Sequence, residues 1–262
     1  MSQRLEKLES DFAADGRPLL MGALVAGDPH VEATLKYMSI LAEQGVDIIE
    51  LIVPFSDPTY HGPVIQRACA RAIHEDVGWS DICELAARFR ERFETPIVAS
   101  SYFNRFLAMG LENCARQMSA AGVDAVMIAD LPWDESQGVE QSFAAHGIAI
   151  IRSVAPTTST ERFQSMAEGA RGFIVWTGHS GGEVTISTES FKAAMAGFHQ
   201  HTQLPIIASM KVSTGEEAAE VGEFADGVLV GSALVWLIEG RGADLSERIR
   251  RFVDDLRRHL RP

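Results

Sequence analysis

Cysteine is scarce in this chain. There are three, Cys69, Cys83 and Cys114, and none is paired at CxxC spacing. An odd, scattered set does not build a disulfide framework, so all three read as small core thiols of helices in a reducing cytoplasm. No apolar run approaches the ~20 residues that a membrane span needs. The opening stretch MSQRLEKLESDFAADG is an amphipathic, mixed-charge helix rather than a basic-then-apolar leader. Positive charge is also in short supply: 23 Lys and Arg stand against 36 Asp and Glu, a net charge of −13, and the cations are scattered. A nucleic-acid face needs a basic patch, so that partner class is not expected. GxGxxG after the first apolar run, a P-loop, HExxH, GxSxG and a metal-ligand cluster are all missing, and with them the usual signs of dinucleotide, nucleotide, zinc-peptidase and serine-hydrolase chemistry. What remains is 262 residues, 46% hydrophobic and 23% charged, ordinary for a soluble globular protein and enough for a large core.

Short apolar runs rich in β-formers alternate with longer helical patterns. The expected strands are Leu19–Gly27, Val46–Val53, Pro96–Ser100, Val123–Asp130, Ile148–Ala155, Gly172–Trp176, Pro205–Ser209 and Asp226–Gly231. Between them, stretches such as HVEATLKYMSILAEQG repeat apolar residues at helical spacing and end on Gly. Strand and helix in alternation, without hairpin turns, mean parallel strands with crossover helices. Eight such units match a closed (β/α)8 TIM barrel with an extra N-terminal helix; the rival is an open doubly wound sheet. AEQGVDIIELIVPF and SAAGVDAVMIADLP align as internal repeats, with GEFADGVLVGSA a weaker echo. No linker or low-complexity tract interrupts the chain, so residues 1–262 are expected to form a single domain.

Three places can carry chemistry, since barrel sites sit at the C-terminal ends of strands. Glu50 lies inside the apolar run VDIIELIV. Turned into the barrel it would be desolvated, its pKa would rise, and it would serve as a general acid or base; turned outward it would pair with a Lys or Arg. The loop that follows, PFSDPTYHGP, is shaped by proline and glycine and contains His61, its one group that titrates near neutrality. A loop histidine is equally at home in solvent. The turn at Gly231 and Ser232 leads into the last barrel helix and would offer free amides to an anion. Lys211, in SMKVST, is a surface lysine, an anion contact or, with a depressed pKa, a Schiff-base nucleophile.

The chain resembles the alpha subunit of tryptophan synthase over nearly its full length. The resemblance rests on AGDP (Ala26–Pro29), ELIVPFSDP…GPVIQRA (Glu50–Ala68), SYFN (Ser101–Asn104), AGVDAVMIADLPWDES (Ala121–Ser136) and VGSALV (Val230–Val235). It implies a retro-aldol lyase that cleaves indole-3-glycerol phosphate to indole and glyceraldehyde 3-phosphate. It implies no cofactor, and a pyridoxal-phosphate beta subunit as partner. On the matching positions the acid/base is Glu50, the phosphate turn is Gly231 and Ser232, and Tyr102 and Asn104 follow the third strand as substrate-side residues. The sixth loop departs from the family's usual Arg-Ser-Gly-Val-Thr-Gly and reads HSGGEV (His179–Val184), with Gly181 and Gly182 expected at the phosphate.

The chain departs from that pattern at the site itself. His61 stands where the family has an Asp that holds the indole N–H and acts as base. Val175 replaces a Tyr, SMK replaces a Gly-rich phosphate turn, Ser100 replaces an apolar residue, and the first strand is small around Gly22 where an aromatic is usual. Three functions follow as expectations: the family reaction with His61 in place of Asp; a diverged aldolase or lyase for another phosphorylated or carboxylated substrate; and a non-catalytic partner of a beta-type subunit.

Overall fold

The computed structural model describes residues 1–178 and 187–260, and each of the eight apolar runs contains strand within it. The strands are β1 (Leu19–Val25), β2 (Ile48–Ile52), β3 (Ile97–Ser101), β4 (Ala125–Ile128), β5 (Ala149–Ile150), β6 (Arg152–Val154), β7 (Ile174–Thr177), β8 (Ile206–Ser209) and β9 (Gly227–Val230). They pair in parallel in the order β5-β4-β3-β2-β1-β9-β8-β7-β6. The nine segments correct the expected eight in one detail: β5 and β6 are two halves of one run, parted at Ile151. The first half pairs with β4 and the second with β7. The Ile151 N–H still donates to the Val126 carbonyl at 2.9 Å. The two ends of the sheet therefore meet on one stretch of chain. The architecture is a nearly closed parallel barrel and not the open doubly wound alternative.

The helices between and around the strands are α1 (Gln3–Asp15), α2 (Val31–Glu43), α3 (Pro63–His74), α4 (Trp79–Arg90), α5 (Phe103–Met109), α6 (Leu111–Ala120), α7 (Gln137–Ala144), α8 (Thr160–Ala167), α9 (Thr188–Phe198), α10 (Gly215–Gly222), α11 (Ser232–Glu239) and α12 (Leu245–His259). Among the described residues none is long and apolar enough to cross a membrane. The three cysteines lie in α3, α4 and α6 as free thiols.

Two cores follow from the period-2 alternation of strands. Ile49, Leu51, Ala99, Val126, Ile174 and Trp176 face the helices in one cluster. Their neighbours Ile48, Ile52, Val98, Ala125, Phe173 and Val175 fill the barrel interior. Leu5 and Leu8 of α1 belong to that inner cluster, so the extra helix closes the N-terminal end of the barrel. At the opposite end Gly27 turns the chain out of β1 with φ +83°. A Cβ there would run into Val77, so both the left-handed backbone and the close approach require glycine.

Candidate active site

Glu50 sits between Ile48 and Ile52 on β2, and alternation aims its side chain into the barrel. It is 3% exposed. Its partner is the Ser100 hydroxyl of β3, which donates to Oε1 at 2.6 Å, and among the described residues no cation pairs with it. Desolvation pushes the carboxyl up to about 7, against a smaller opposing pull from the Ser100 hydrogen bond. The outward, ion-paired placement of Glu50 is thus ruled out. A carboxyl half-protonated at neutral pH can both give and take a proton.

The loop after β2 brings His61 to the same end. Its backbone is pinned: the His61 N–H donates to the Pro58 carbonyl at 3.0 Å, and the Tyr60 N–H donates to the Tyr102 hydroxyl at 2.8 Å. Tyr102 is buried, stacks on Phe55 at 4.9 Å between centroids, and meets the His61 ring edge-on at 6.0 Å. Its hydroxyl is therefore spent on shaping the loop. His61 is partly buried, and desolvation drops its imidazole to about 4, which keeps it neutral at pH 7. The pair is inverted from ordinary order: the carboxyl holds its proton to higher pH than the imidazole. Such a split is what a candidate acid/base site requires.

The end expected to take an anion is less enclosed. Gly231 caps α11 without a side-chain hydrogen bond, and the first amides of that helix lack intrahelical acceptors. Ser232 is exposed and Gly231 partly so. Ser209 of β8 pairs with Leu229 of β9, so Lys211 and Gly231 each lie two residues beyond that pair, just past the ends of adjacent strands. Lys211 is exposed. Asn104 is exposed on the first turn of α5, at the rim of the mouth. Gly181 and Gly182 lie outside the described residues.

Sequence reasoning missed a ring of hydroxyls. Alternation from Ile151, Val175 and Ile207 turns Ser153, Thr177 and Ser209 inward, as it does Ser100 after Val98. The available signal was a polar residue at or near the C-terminal end of several otherwise apolar strands. It also missed Tyr60, which lines a cleft of about 480 Å³ with Ile128, Ser153 and Thr177. The small residue of the first strand needs correction as well. Gly22 faces the helices, where a Cβ would stand 3.1 Å from Leu41, and the inward position is Ala23.

The loops around the mouth are tied by charge. Arg71 of α3 donates through Nε and Nη2 to both oxygens of buried Asp28 at 2.8 Å each, and through Nη1 to Glu239 of α11 at 2.8 Å. Arg67 adds a second fork to Glu239, and hydrogen bonding from Arg67, then Arg71, holds that carboxyl down at about 2. This network joins the AGDP turn to α3 and α11.

The same arrangement recurs in known proteins. A sequence family described as "Tryptophan synthase alpha chain" matches residues 10–259. The tryptophan synthase alpha chain of Alkalilimnicola ehrlichii is 40% identical over 240 residues, 90% of this chain and 88% of that one. That of Laribacter hongkongensis is 35% identical over 98% of both chains. The crystal structure of tryptophan synthase subunit alpha from Legionella pneumophila str. Paris superposes with a TM-score of 0.92 at 32% identity, covering 99% of each chain. With the buried carboxyl at a barrel mouth and these matches spanning nearly all of its length, the chain belongs to the tryptophan synthase alpha chain family.

Proposed function

We propose that this carbon–carbon lyase cleaves indole-3-glycerol phosphate at the bond between ring C3 and the side chain, with Glu50 as the acid/base and His61 at the ring nitrogen. The observation that carries the reading is the inverted pair, Glu50 raised to about 7 and His61 lowered to about 4 at one barrel mouth. Retro-aldol cleavage needs a proton added at C3 while the ring N–H is drawn away. It then needs the proton of the adjacent hydroxyl removed as the carbonyl forms, the C–C bond breaks, and the nitrogen regains its proton. Protonated Glu50 gives the first proton, and its carboxylate takes the hydroxyl proton. Neutral His61 accepts the ring N–H, as a weaker base than free imidazole. The amides at Gly231 and Ser232, with Lys211 as a charge contact, hold the phosphate. Gly181 and Gly182 complete that contact. Tyr102 holds the His61 loop, and Asn104 lies on the substrate side of the third strand. No cofactor is required by these steps. A beta-type pyridoxal-phosphate subunit is the proposed partner, the cytoplasm the proposed compartment, and residues 1–262 one domain.

The test is indole release from indole-3-glycerol phosphate by the purified chain, alone and with a beta-type subunit. Glu50→Gln should lower kcat by at least 100-fold, the scale of a lost proton-transfer group. Activity within a few-fold of the unsubstituted chain would remove Glu50 from the mechanism. The inward hydroxyls favour a second reading, a more hydroxylated phosphorylated substrate. His61→Asp separates the two. It should raise indole release if indole is the native ring, because it sets a charge beside the N–H. A fall in indole release would favour the more polar substrate.

A further inference from the structure

Above Glu50 the inward positions of β1, β3, β6 and β7 are Val25, Ser100, Ser153 and Thr177. An aromatic ring of the substrate would meet only aliphatic and hydroxyl groups on these four strands. Among the described residues the loops supply the rings: Tyr60 of the β2–α3 loop and Trp133 after β4 line one cleft with Ser153 and Thr177. Tyr60 has its backbone locked by the Tyr102 hydroxyl, 2.8 Å from the Tyr60 nitrogen. With the backbone fixed, the side chain lines one cleft with Ser153 of β6 and Thr177 of β7. With β5 and β6 counted as one, β7 is four strands from β2 in either direction round the barrel, so that cleft reaches strands across the mouth from the one that carries Glu50. The Tyr60 ring packs edge-on against His61 at 5.7 Å.

We propose that Tyr60 is a specificity-determining residue for the ring of the substrate: it gives the indole an aromatic face at the mouth and is aimed by its backbone, which the Tyr102 hydroxyl holds. This rests on indole-3-glycerol phosphate as substrate. Three consequences follow. Tyr60 contacts the ring and not the phosphate, so its loss weakens indole and leaves glyceraldehyde 3-phosphate unaffected. The contact is through the ring face, so Phe replaces Tyr in binding. An aliphatic residue of similar bulk does not, because offset or edge-on aromatic packing is lost.

The experiment measures binding of indole and of glyceraldehyde 3-phosphate separately, by titration calorimetry, to the full chain and to Tyr60→Phe, Tyr60→Leu and Tyr60→Ala. Thermal unfolding serves as the check that each variant folds. Indole affinity should fall about fivefold to tenfold in the Leu and Ala variants, stay within twofold in the Phe variant, and leave glyceraldehyde 3-phosphate affinity within twofold throughout. Indole affinity unchanged in the folded Leu variant would overturn the proposal. So would an equal loss for both ligands, which would mean that the substitution only loosens the loop. Turnover is scored separately: an unsubstituted chain that releases no indole defeats the proposed reaction, whereas the Tyr60 assignment is decided by the binding series.

Discussion

Glu50 and His61 titrate in opposite directions, and this makes their contributions to stability separable. The folded state holds Glu50 up at about 7, above its ordinary 4.5, so its proton is bound more tightly when folded. Its contribution is full below pH 4.5 and is lost as pH rises through 7, a loss of about 3 kcal/mol at one pKa unit per 1.36 kcal/mol. His61, lowered from 6.5 to about 4, does the reverse: its contribution is full above pH 6.5 and is lost as pH falls through 4. Glu50→Gln removes the first effect and leaves the second. Measured by urea unfolding, the variant should therefore gain about 3 kcal/mol relative to the unsubstituted chain between pH 4.5 and pH 8.5, with His61 cancelling in the difference. A difference that does not change with pH would mean that Glu50 is not desolvated. A carboxyl kept at this cost, beside a hydroxyl that only partly offsets it, supports the proposed acid/base role of Glu50.

At the scale of elements, the mouth depends on helices that do not touch the reaction. Arg71 of α3 closes both oxygens of Asp28, which is 3% exposed, and also reaches Glu239 of α11. Arg71→Ala would leave a buried carboxylate without its counter-charge and should cost about 3 kcal/mol in denaturant unfolding. Adding Asp28→Asn to it should recover part of that loss, because the buried charge goes too; strict additivity would argue that the two side chains act independently. Such pairings could not be seen in the sequence, although the motifs holding both partners were. The same division runs through the rest of the molecule. All eight strand runs were legible, because apolar runs bounded by turn residues need no partner to be recognised. The break at Ile151 was not, since it exists only where one strand serves two neighbours. Glu50 was legible as a lone carboxylate in an apolar run. Ala23, Ser153, Thr177 and Ser209 were not, because a strand buried on both faces shows no alternation, and its phase is fixed only by its neighbours. Tyr60 was not either, because its place depends on a loop held by Tyr102 of another element.

On the scale of the whole molecule the barrel divides stability from chemistry between its two ends. The C-terminal mouth holds the desolvated carboxyl, the lowered imidazole and the Gly231–Ser232 turn proposed for the phosphate. The N-terminal end is plugged by Leu5 and Leu8 and tied by buried charge. Asp124 there is 0% exposed and accepts from Arg4 Nε at 2.7 Å, Arg90 Nη2 at 2.7 Å and the Ile97 N–H at 2.8 Å, joining α1, α4 and β3. Asp47 plays a similar part for Arg17 and Arg257. Asp124→Asn removes the charge that compensates Arg90, whose guanidinium burial already pulls down to about 10. It should cost about 3–5 kcal/mol, the range for breaking a buried pair on one side. None of these groups faces the mouth, so kcat for the folded enzyme should stay within twofold. Glu50→Gln should do the opposite at neutral pH and above, keeping or raising stability while removing turnover. Urea unfolding and kcat measured on both variants at one temperature, well below either midpoint, give the comparison. A large fall in kcat in folded Asp124→Asn would mean that the plug end sets the geometry of the mouth, and the division of labour between the two ends would then fail.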